Sequence, residues 1–298
     1  MKQGLRNAGS SASCVRTLLI EQLDQSLSGL RNRGKSDAAV HQIRQGLKRA
    51  RAGLRLIRAG LGKNAYRREN AVLRDAAQSL SEMRDATVLV RAFAASTGRV
   101  GNRDARAFEA RLFTMLQRER RAAQRRVTRT SLAAATAHLQ AARGRIAAAS
   151  RAKLDGIDLA AGVERVYRRG REVLRRARRE ATDESLHECR KQAMYLANQA
   201  DVLAQMNSRA AATMRKRSRR VSKWLGEDHD LAMLQRRILR TARLSGTAGD
   251  SVVMRAWVSR VARRRAALQR DALKLARRLY LDRPRQVAAT IRKSLRAP

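Results

Sequence analysis

A row of basic side chains runs through residues 40–61. Its members recur every three or four residues, which places them on one face of a helix about five turns long. They are His41, Arg44, Lys48, Arg51, Arg55 and Arg58. No acidic residue occurs between Val40 and Tyr66, although like charges at this spacing repel each other. Guanidinium and ammonium groups donate to phosphate oxygens, so the row indicates a binding surface for an extended polyanion.

An apolar stripe occupies the neighbouring face of the same helix and is predicted to face the core. Its members are Val40, Ile43, Leu47, Ala50, Leu54, Ile57 and Leu61. Asp37 is predicted to cap the amino end of this helix. Thr182 is predicted to cap the equivalent helix later in the chain. The first basic side chains of both helices therefore belong to their first turns.

Two segments of the chain are repeated at nearly the same offset. AVHQIRQGLKRAR matches SLHECRKQAMYLA, which aligns His41 with His187, 146 residues later. LSEMRDATVL matches LGEDHDLAML, which aligns Asp85 with Asp230, 145 residues later. A period this long indicates duplication of a whole unit. The sequence predicts two homologous halves, residues 1–150 and 151–298, with a boundary near residues 150–158.

The composition favours an all-α fold. The chain has only two prolines, Pro284 and Pro298, in 298 residues, and it is rich in strong helix formers. Turn-forming residues predict breaks at residues 29–37, 60–63, 97–104, 181–185, 207–208 and 244–251. These breaks predict eight long helices, arranged most simply as one four-helix bundle in each half.

The second copy of the basic helix start is less basic, because Met194 and Asn198 follow Arg190 and Lys191. The missing cations are replaced on the following helix. This compensating stretch contains Arg215, Arg219 and Lys223. Alignment of the halves pairs Arg74 with Arg219, so Arg74 joins the candidate binding set.

The charge of the chain points to an anionic partner. Its 67 Lys and Arg against 25 Asp and Glu give a net charge of +42, which attracts anions over long range. A merely solvated basic surface would show the same composition. Cys14 and Cys189 lack any disulfide or metal-ligand spacing, and no apolar stretch is long enough to span a membrane. We therefore expect a cytoplasmic protein.

Catalysis and metal binding have little support in the sequence. Asp85 and Asp230 are isolated carboxylates, no phosphate-binding glycine loop is present, and no nucleophile stands beside a base. Neither His41 nor His187 is followed by a second histidine or a carboxylate three or four residues later. We expect no enzyme activity, no cofactor and no metal. Pairing at a helix end is the role expected for both aspartates.

These repeated motifs resemble the CHAD family, a histidine-containing α-helical domain. VHQIRQGLKRARAGLRL and LHECRKQAMYL are similar to its His-x-x-Arg helix start, and LSEMRDATVL and LGEDHDLAML to its Leu-Gly-x-x-x-Asp segment. The resemblance implies two pseudo-twofold-related four-helix bundles around a basic central channel that binds inorganic polyphosphate. The ligand-contacting residues that it implies are His41, Arg44, Lys48, Arg49, Arg51, Arg55, His187, Arg190 and Lys191.

Nucleic acid is the alternative ligand. Polyphosphate needs only a spaced row of donors, whereas single-stranded nucleic acid usually needs aromatic stacking platforms, and the six Tyr and Trp residues are scattered singly. A chain this basic is also expected to bind duplex DNA at low salt. Attachment to polyphosphate granules, chain-length sensing and recruitment of a processing enzyme would all use the same groove, and the residues favour none of the three.

Overall fold

The computed structural model describes residues 10–33, 36–97, 103–149, 151–154, 156–206, 208–245 and 248–296, and its regular elements there are all helices. Parts of the predicted breaks and of the predicted domain boundary lie outside the described residues, namely 34–35, 98–102, 150, 155, 207 and 246–247. None of the described helices is long and apolar enough to cross a membrane.

The described part of the chain contains thirteen helical segments. The first seven are α1 (Ser11–Arg33), α2 (Asp37–Leu56), α3 (Arg58–Leu61), α4 (Lys63–Gln78), α5 (Ser81–Ser96), α6 (Arg103–Arg126) and α7 (Arg129–Ala147). The remaining six are α8 (Arg151–Leu154), α9 (Leu159–Glu180), α10 (Asp183–Ala204), α11 (Arg209–Ser245), α12 (Ala248–Leu279) and α13 (Pro284–Arg296). The all-α prediction is therefore confirmed.

The chain turns at three points that the sequence analysis does not predict. They separate α4 from α5, α6 from α7 and α12 from α13. The hydroxyl of Thr128 caps α7 by accepting from the backbone N–H of Ser131, and Pro284 occupies the first position of α13, where its missing N–H costs nothing. None of these three turns contains a glycine, and Leu80, which precedes α5, forms no side-chain cap.

The caps of α2 and α10 are only partly as predicted. Ser36, not Asp37, caps α2, since its side chain accepts from the backbone N–H of Ala39. The carboxylate of Asp37 instead accepts from Thr87 Oγ1 at 3.0 Å. Thr182 caps α10 by accepting from the N–H of Ser185, as predicted.

The apolar stripe of α2 is buried as predicted, from Val40 to Ile57, whereas Leu61 at its end is only partly buried. The neighbouring face of the helix carries the basic row. Burial of the stripe thus fixes the direction in which the basic side chains leave the helix.

The buried apolar residues form two clusters. The main cluster joins α1, α2, α4 and α7 to α9, α10, α13 and parts of α11 and α12. The second joins α5 and α6 to the later part of α11 and the earlier part of α12. The second cluster consists of Val90, Phe93, Phe108, Leu112, Leu116, Leu231, Leu234, Ile238, Trp257, Val261 and Leu268. Both clusters use residues from before and after position 150, so neither belongs to one predicted half alone.

Contacts between α2 and α10 are related by the sequence offset of the predicted duplication. The guanidinium of Arg55 lies 4.0 Å from the ring centroid of Tyr195, and Arg49 forms an ion pair with Asp201 at 3.6 Å. Residue numbers 146 higher than Arg55 and Arg49 are Asp201 and Tyr195. The offset therefore relates the Arg55–Tyr195 contact to the Asp201–Arg49 contact. A pseudo-twofold axis between the helices would produce this arrangement. The duplication itself stays a prediction.

Candidate functional site

A cavity of about 870 Å³ lies where the two apolar clusters meet, lined by side chains of α2, α5, α10, α11 and α12. Most of its polar lining is cationic. The basic residues that line it are His41, Arg84, Arg91, Arg190, Lys223, Arg260 and Arg264. Glu227 and Asp230 are the acidic ones. Four helices, α5, α10, α11 and α12, therefore direct positive charge into one space.

The cations of this cavity differ in how far they are neutralised. Arg264 donates to Glu227 at 2.7 Å, and Arg260 lies 3.7 Å from Glu109. Within the described residues, by contrast, no ion pair or side-chain hydrogen bond involves four of the lining residues. These four are Arg84, Arg91, Arg190 and Lys223. We call them the free cations.

Lys48 and Arg44 on α2 extend the cationic cluster beneath the cavity. Partial burial, followed by repulsion from Arg44, Arg190 and Arg84, lowers the pKa of Lys48 to about 8. Burial also lowers the pKa of Arg44, which donates from Nη1 to the carbonyl of Ala77. His41 lies at the rim, and its pKa is lowered by burial and then by nearby cations such as Arg84. Its imidazole is thus held in the neutral form.

Asp85 and Asp230 lie among these cations. Burial raises the pKa of Asp230, and the charge of Asp85 raises it further against the opposing effect of Arg190 and Arg84. The two carboxylates are thus close enough to repel each other. No ion pair within 4.0 Å is formed by either one in the described part of the chain, and Asp230 lies in the middle of α11. The helix-end pairing expected for it from the sequence is therefore wrong.

Asp201 gathers three of the predicted binding residues. This nearly buried carboxylate lies 2.8 Å from Arg219, 3.5 Å from Arg215 and 3.6 Å from Arg49. The three guanidiniums come from α2 and α11 and remain about half exposed. One carboxylate cannot neutralise three of them, so positive charge remains at this point of the surface.

The rest of the predicted row on α2 continues away from the cavity. Arg51 donates from Nε to Asn70 Oδ1 at 3.0 Å, and the guanidinium of Arg55 covers Tyr195. Arg74 is exposed and pairs with the adjacent Asp75 at 2.8 Å. The structure thus divides the predicted set between the cavity, the Asp201 cluster and this outer stretch.

His187 and Lys191 are not among the residues that line the cavity. The ring of His187 packs against His229 with centroids 4.7 Å apart, and burial lowers the pKa of His229 to about 4. Lys191 pairs with Glu188 at 2.6 Å. The second copy of the His-x-x-Arg motif therefore contributes Arg190 to the cavity, whereas its histidine packs between α10 and α11.

The sequence analysis misses four arginines of the cavity. Arg84 and Arg91 come from α5, and Arg260 and Arg264 from α12. Arg84 and Arg91 are seven residues apart and Arg260 and Arg264 four apart, so each pair shares a helix face. This spacing is visible in the sequence, but which helix faces meet depends on how the helices pack.

A metal centre has no support in the described residues, where no three side chains of His, Cys, Asp or Glu come together to hold an ion. Cys14 and Cys189 are both buried.

The family model described as CHAD domain matches residues 17–239. The crystal structure of the CHAD domain from the plant Ricinus communis matches with a TM-score of 0.60 at 19% identity, over 89% of this chain and 92% of that chain. At this identity the likeness concerns the fold alone. No curated protein matches the sequence.

Proposed function

Because the chain belongs to the CHAD domain family, we propose that its central cavity binds inorganic polyphosphate without catalysing a reaction. The observation that carries this proposal is the convergence of the four free cations on one cavity. They come from α5, α10 and α11, so the whole fold is needed to bring them together. Attachment to polyphosphate granules would follow from such binding.

The electrostatics of the free cations support an anionic ligand. Many arginines elsewhere are paired, such as Arg143 with Asp24 at 2.9 Å and Arg292 with Asp158 at 2.6 Å. Arg84 and Arg190 repel each other and Lys48, and at Lys48 the charge of Asp85 offsets less than these cations contribute. A bound polyanion would remove this repulsion, and each charge-assisted hydrogen bond to phosphate would contribute roughly 1.5–3 kcal/mol at most.

The residues that line the cavity favour polyphosphate over single-stranded nucleic acid as the ligand. Bases need exposed aromatic faces for stacking, and no aromatic residue is among those that line the cavity. Trp224, on the cavity-lining helix α11, is covered by the guanidinium of Arg220 at 5.1 Å from the ring centroid. A chain of phosphates without bases makes no use of such a platform.

Competition separates the two ligand classes. Labelled long-chain polyphosphate is bound to the protein at about 150 mM salt, where nonspecific attraction is weakened, and is challenged with unlabelled polyphosphate, single-stranded DNA or duplex DNA. We expect displacement by polyphosphate at concentrations well below those at which either DNA competes. Equal displacement by DNA at the same phosphate concentration would favour nucleic acid as the ligand.

A matched pair of variants locates the site. Arg84→Gln, Arg190→Gln and Lys223→Gln together remove three charges from the cavity, and Arg121→Gln, Arg125→Gln and Arg129→Gln remove three exposed charges from α6 and α7. We expect the first variant to lose at least about tenfold in polyphosphate affinity and the second much less. Circular dichroism checks that both remain helical. Equal losses would mean that only the net charge matters.

A further inference from the structure

The basic row of α2 continues beyond the cavity in arginines that are held by aromatic or amide groups. Arg51 donates to Asn70, Arg55 covers Tyr195, and Arg58 covers Tyr66 at 4.8 Å from the ring centroid. Within the described residues none of the three arginines forms an ion pair with a carboxylate. Their positive charge is therefore held in place without being neutralised.

Arg165 on α9 extends this row to a second helix. A Cβ at Gly162, one turn before Arg165, would lie 3.1 Å from the carbonyl oxygen of Arg55, so this part of α9 packs against the end of α2. The pKa of Arg165 is lowered first by burial and then by the charge of Arg58, as expected for that position. Two carboxylates near Arg165, Asp158 and Glu164, are engaged by Arg292 and Arg168 respectively. Arg165 itself has no ion pair in the described part of the chain. We call Arg51, Arg55, Arg58 and Arg165 the outer row.

The aromatic contacts leave the outer row able to bind an anion. A guanidinium that lies over a ring uses its flat face, and its N–H donors remain at the edge of the plane. The Asp201 cluster differs, because there the donors of Arg49, Arg215 and Arg219 already point at a carboxylate. One donor of Arg51 is used by Asn70, and one of Arg55 by the carbonyl of Arg51 at 3.0 Å. The other N–H donors of the outer row form no hydrogen bond within the described residues, and the rings hold Arg55 and Arg58 in place.

Distance separates the outer row from the cavity. At a helical rise of 1.5 Å per residue, Arg58, the first residue of α3, lies about 15 Å beyond Lys48. Arg51 is only one turn beyond Lys48 and links the two regions. A short oligophosphate seated at the free cations does not reach Arg58, whereas a long chain that leaves the cavity along α2 does.

We propose that the outer row is a second subsite, which raises the affinity for long polyphosphate chains and leaves that for short ones unchanged. This inference rests on the proposed function, since the cavity must hold the first part of the chain. Binding at the second subsite is then intramolecular, and its effective concentration adds affinity without any change at the cavity.

The test uses two ligands and one pair of variants of the full chain. Affinity for tripolyphosphate and for long-chain polyphosphate is measured by titration calorimetry with Arg58→Gln plus Arg165→Gln, and with Arg121→Gln plus Arg125→Gln, which removes the same charge from the exposed surface of α6. We expect the first variant to lose about tenfold in affinity for the long chain and to bind tripolyphosphate like the wild type. The control variant should change neither affinity by more than about twofold.

Two further outcomes are decisive. Arg58→Lys plus Arg165→Lys keeps the charge and should retain most of the long-chain affinity, which separates lost binding from lost folding. Equal losses for both ligands in the Gln variant, or no loss for the long chain, would overturn the second subsite while leaving polyphosphate binding intact. Failure of the wild type to bind either ligand would instead contradict the proposed function itself.

Discussion

Lys48 is the cation whose charge depends most strongly on its surroundings. It is only partly exposed, and burial together with Arg44 and Arg190 lowers its pKa to about 8. The charge of Asp85 raises this pKa, but by less than burial and the neighbouring cations lower it. The ammonium of Lys48 is therefore mostly charged at neutral pH and mostly neutral above about pH 9.

Polyphosphate binding should consequently weaken as the pH rises from about 8 to about 10. An anion beside Lys48 raises its pKa again, so binding takes up a proton in this window, and affinity falls as protons become scarce. Lys48→Arg keeps its charge throughout, so its affinity should vary little over the same range. Affinities of both proteins measured by fluorescence anisotropy from pH 7 to pH 10 test this. The same slope in both would remove Lys48 as its cause.

Among the helices, α9 packs on the end of α2 without side-chain space between them. A Cβ at Gly162 would lie 3.0 Å from Leu56 Cα and 3.1 Å from the carbonyl oxygen of Arg55, both backbone atoms. Backbone atoms cannot move aside to make room for a Cβ as the end of a flexible side chain can. This close approach is what brings Arg165 beside Arg58, so a glycine in the contact positions the outer row.

Gly162→Ala should therefore destabilise the protein by roughly 1–3 kcal/mol, although alanine is the better helix former by about 1 kcal/mol. Gly144→Ala in α7 is the matched control, because a Cβ there would meet no atom within 4 Å. The control should be neutral or stabilising by up to about 1 kcal/mol. Urea unfolding followed by circular dichroism compares the two. A destabilised Gly144→Ala, or a stabilised Gly162→Ala, would contradict the packing described.

At the level of the whole molecule, charge opposes folding. The net charge of +42 makes the compact state repel itself, and the free cations concentrate part of that repulsion at the cavity. Added salt screens charges that are more than about a Debye length apart, which is about 10 Å at 0.1 M. Added salt therefore weakens the repulsion between the closely spaced cations of the cavity less than a bound polyanion would.

Long-chain polyphosphate should raise the melting temperature more than sodium chloride does at equal ionic strength. A ligand at about a hundred times its Kd stabilises the folded state by about 2.7 kcal/mol, which corresponds to a shift of about 4 °C for a chain of this size. Differential scanning fluorimetry with both additives measures it. Equal shifts would show that general screening accounts for the whole effect. The Arg84, Arg190 and Lys223 variant should lose most of the difference.

The local pattern of residues determines which parts of this protein are helical and which helix faces are apolar or basic. The scarcity of proline and the three-and-four spacing on α2 are properties of neighbouring residues, so the all-α fold, the buried stripe and the basic face next to it follow from them. The position of the cap on α2 does not, because Ser36 and Asp37 both suit it, and the contact of Asp37 with Thr87 on another helix decides between them.

Only the tertiary structure decided which cations meet. Helical spacing gives a side chain its face, but the partner of that face depends on how helices far apart in sequence cross, which is set by packing contacts such as that of Gly162 on α2. For this reason Arg84 and Arg260, which helical spacing alone does not single out, line the cavity, whereas Arg49 and Arg219 point at Asp201. Charge and helix formation are local properties of the chain, whereas the cavity forms where helices that are distant in sequence converge.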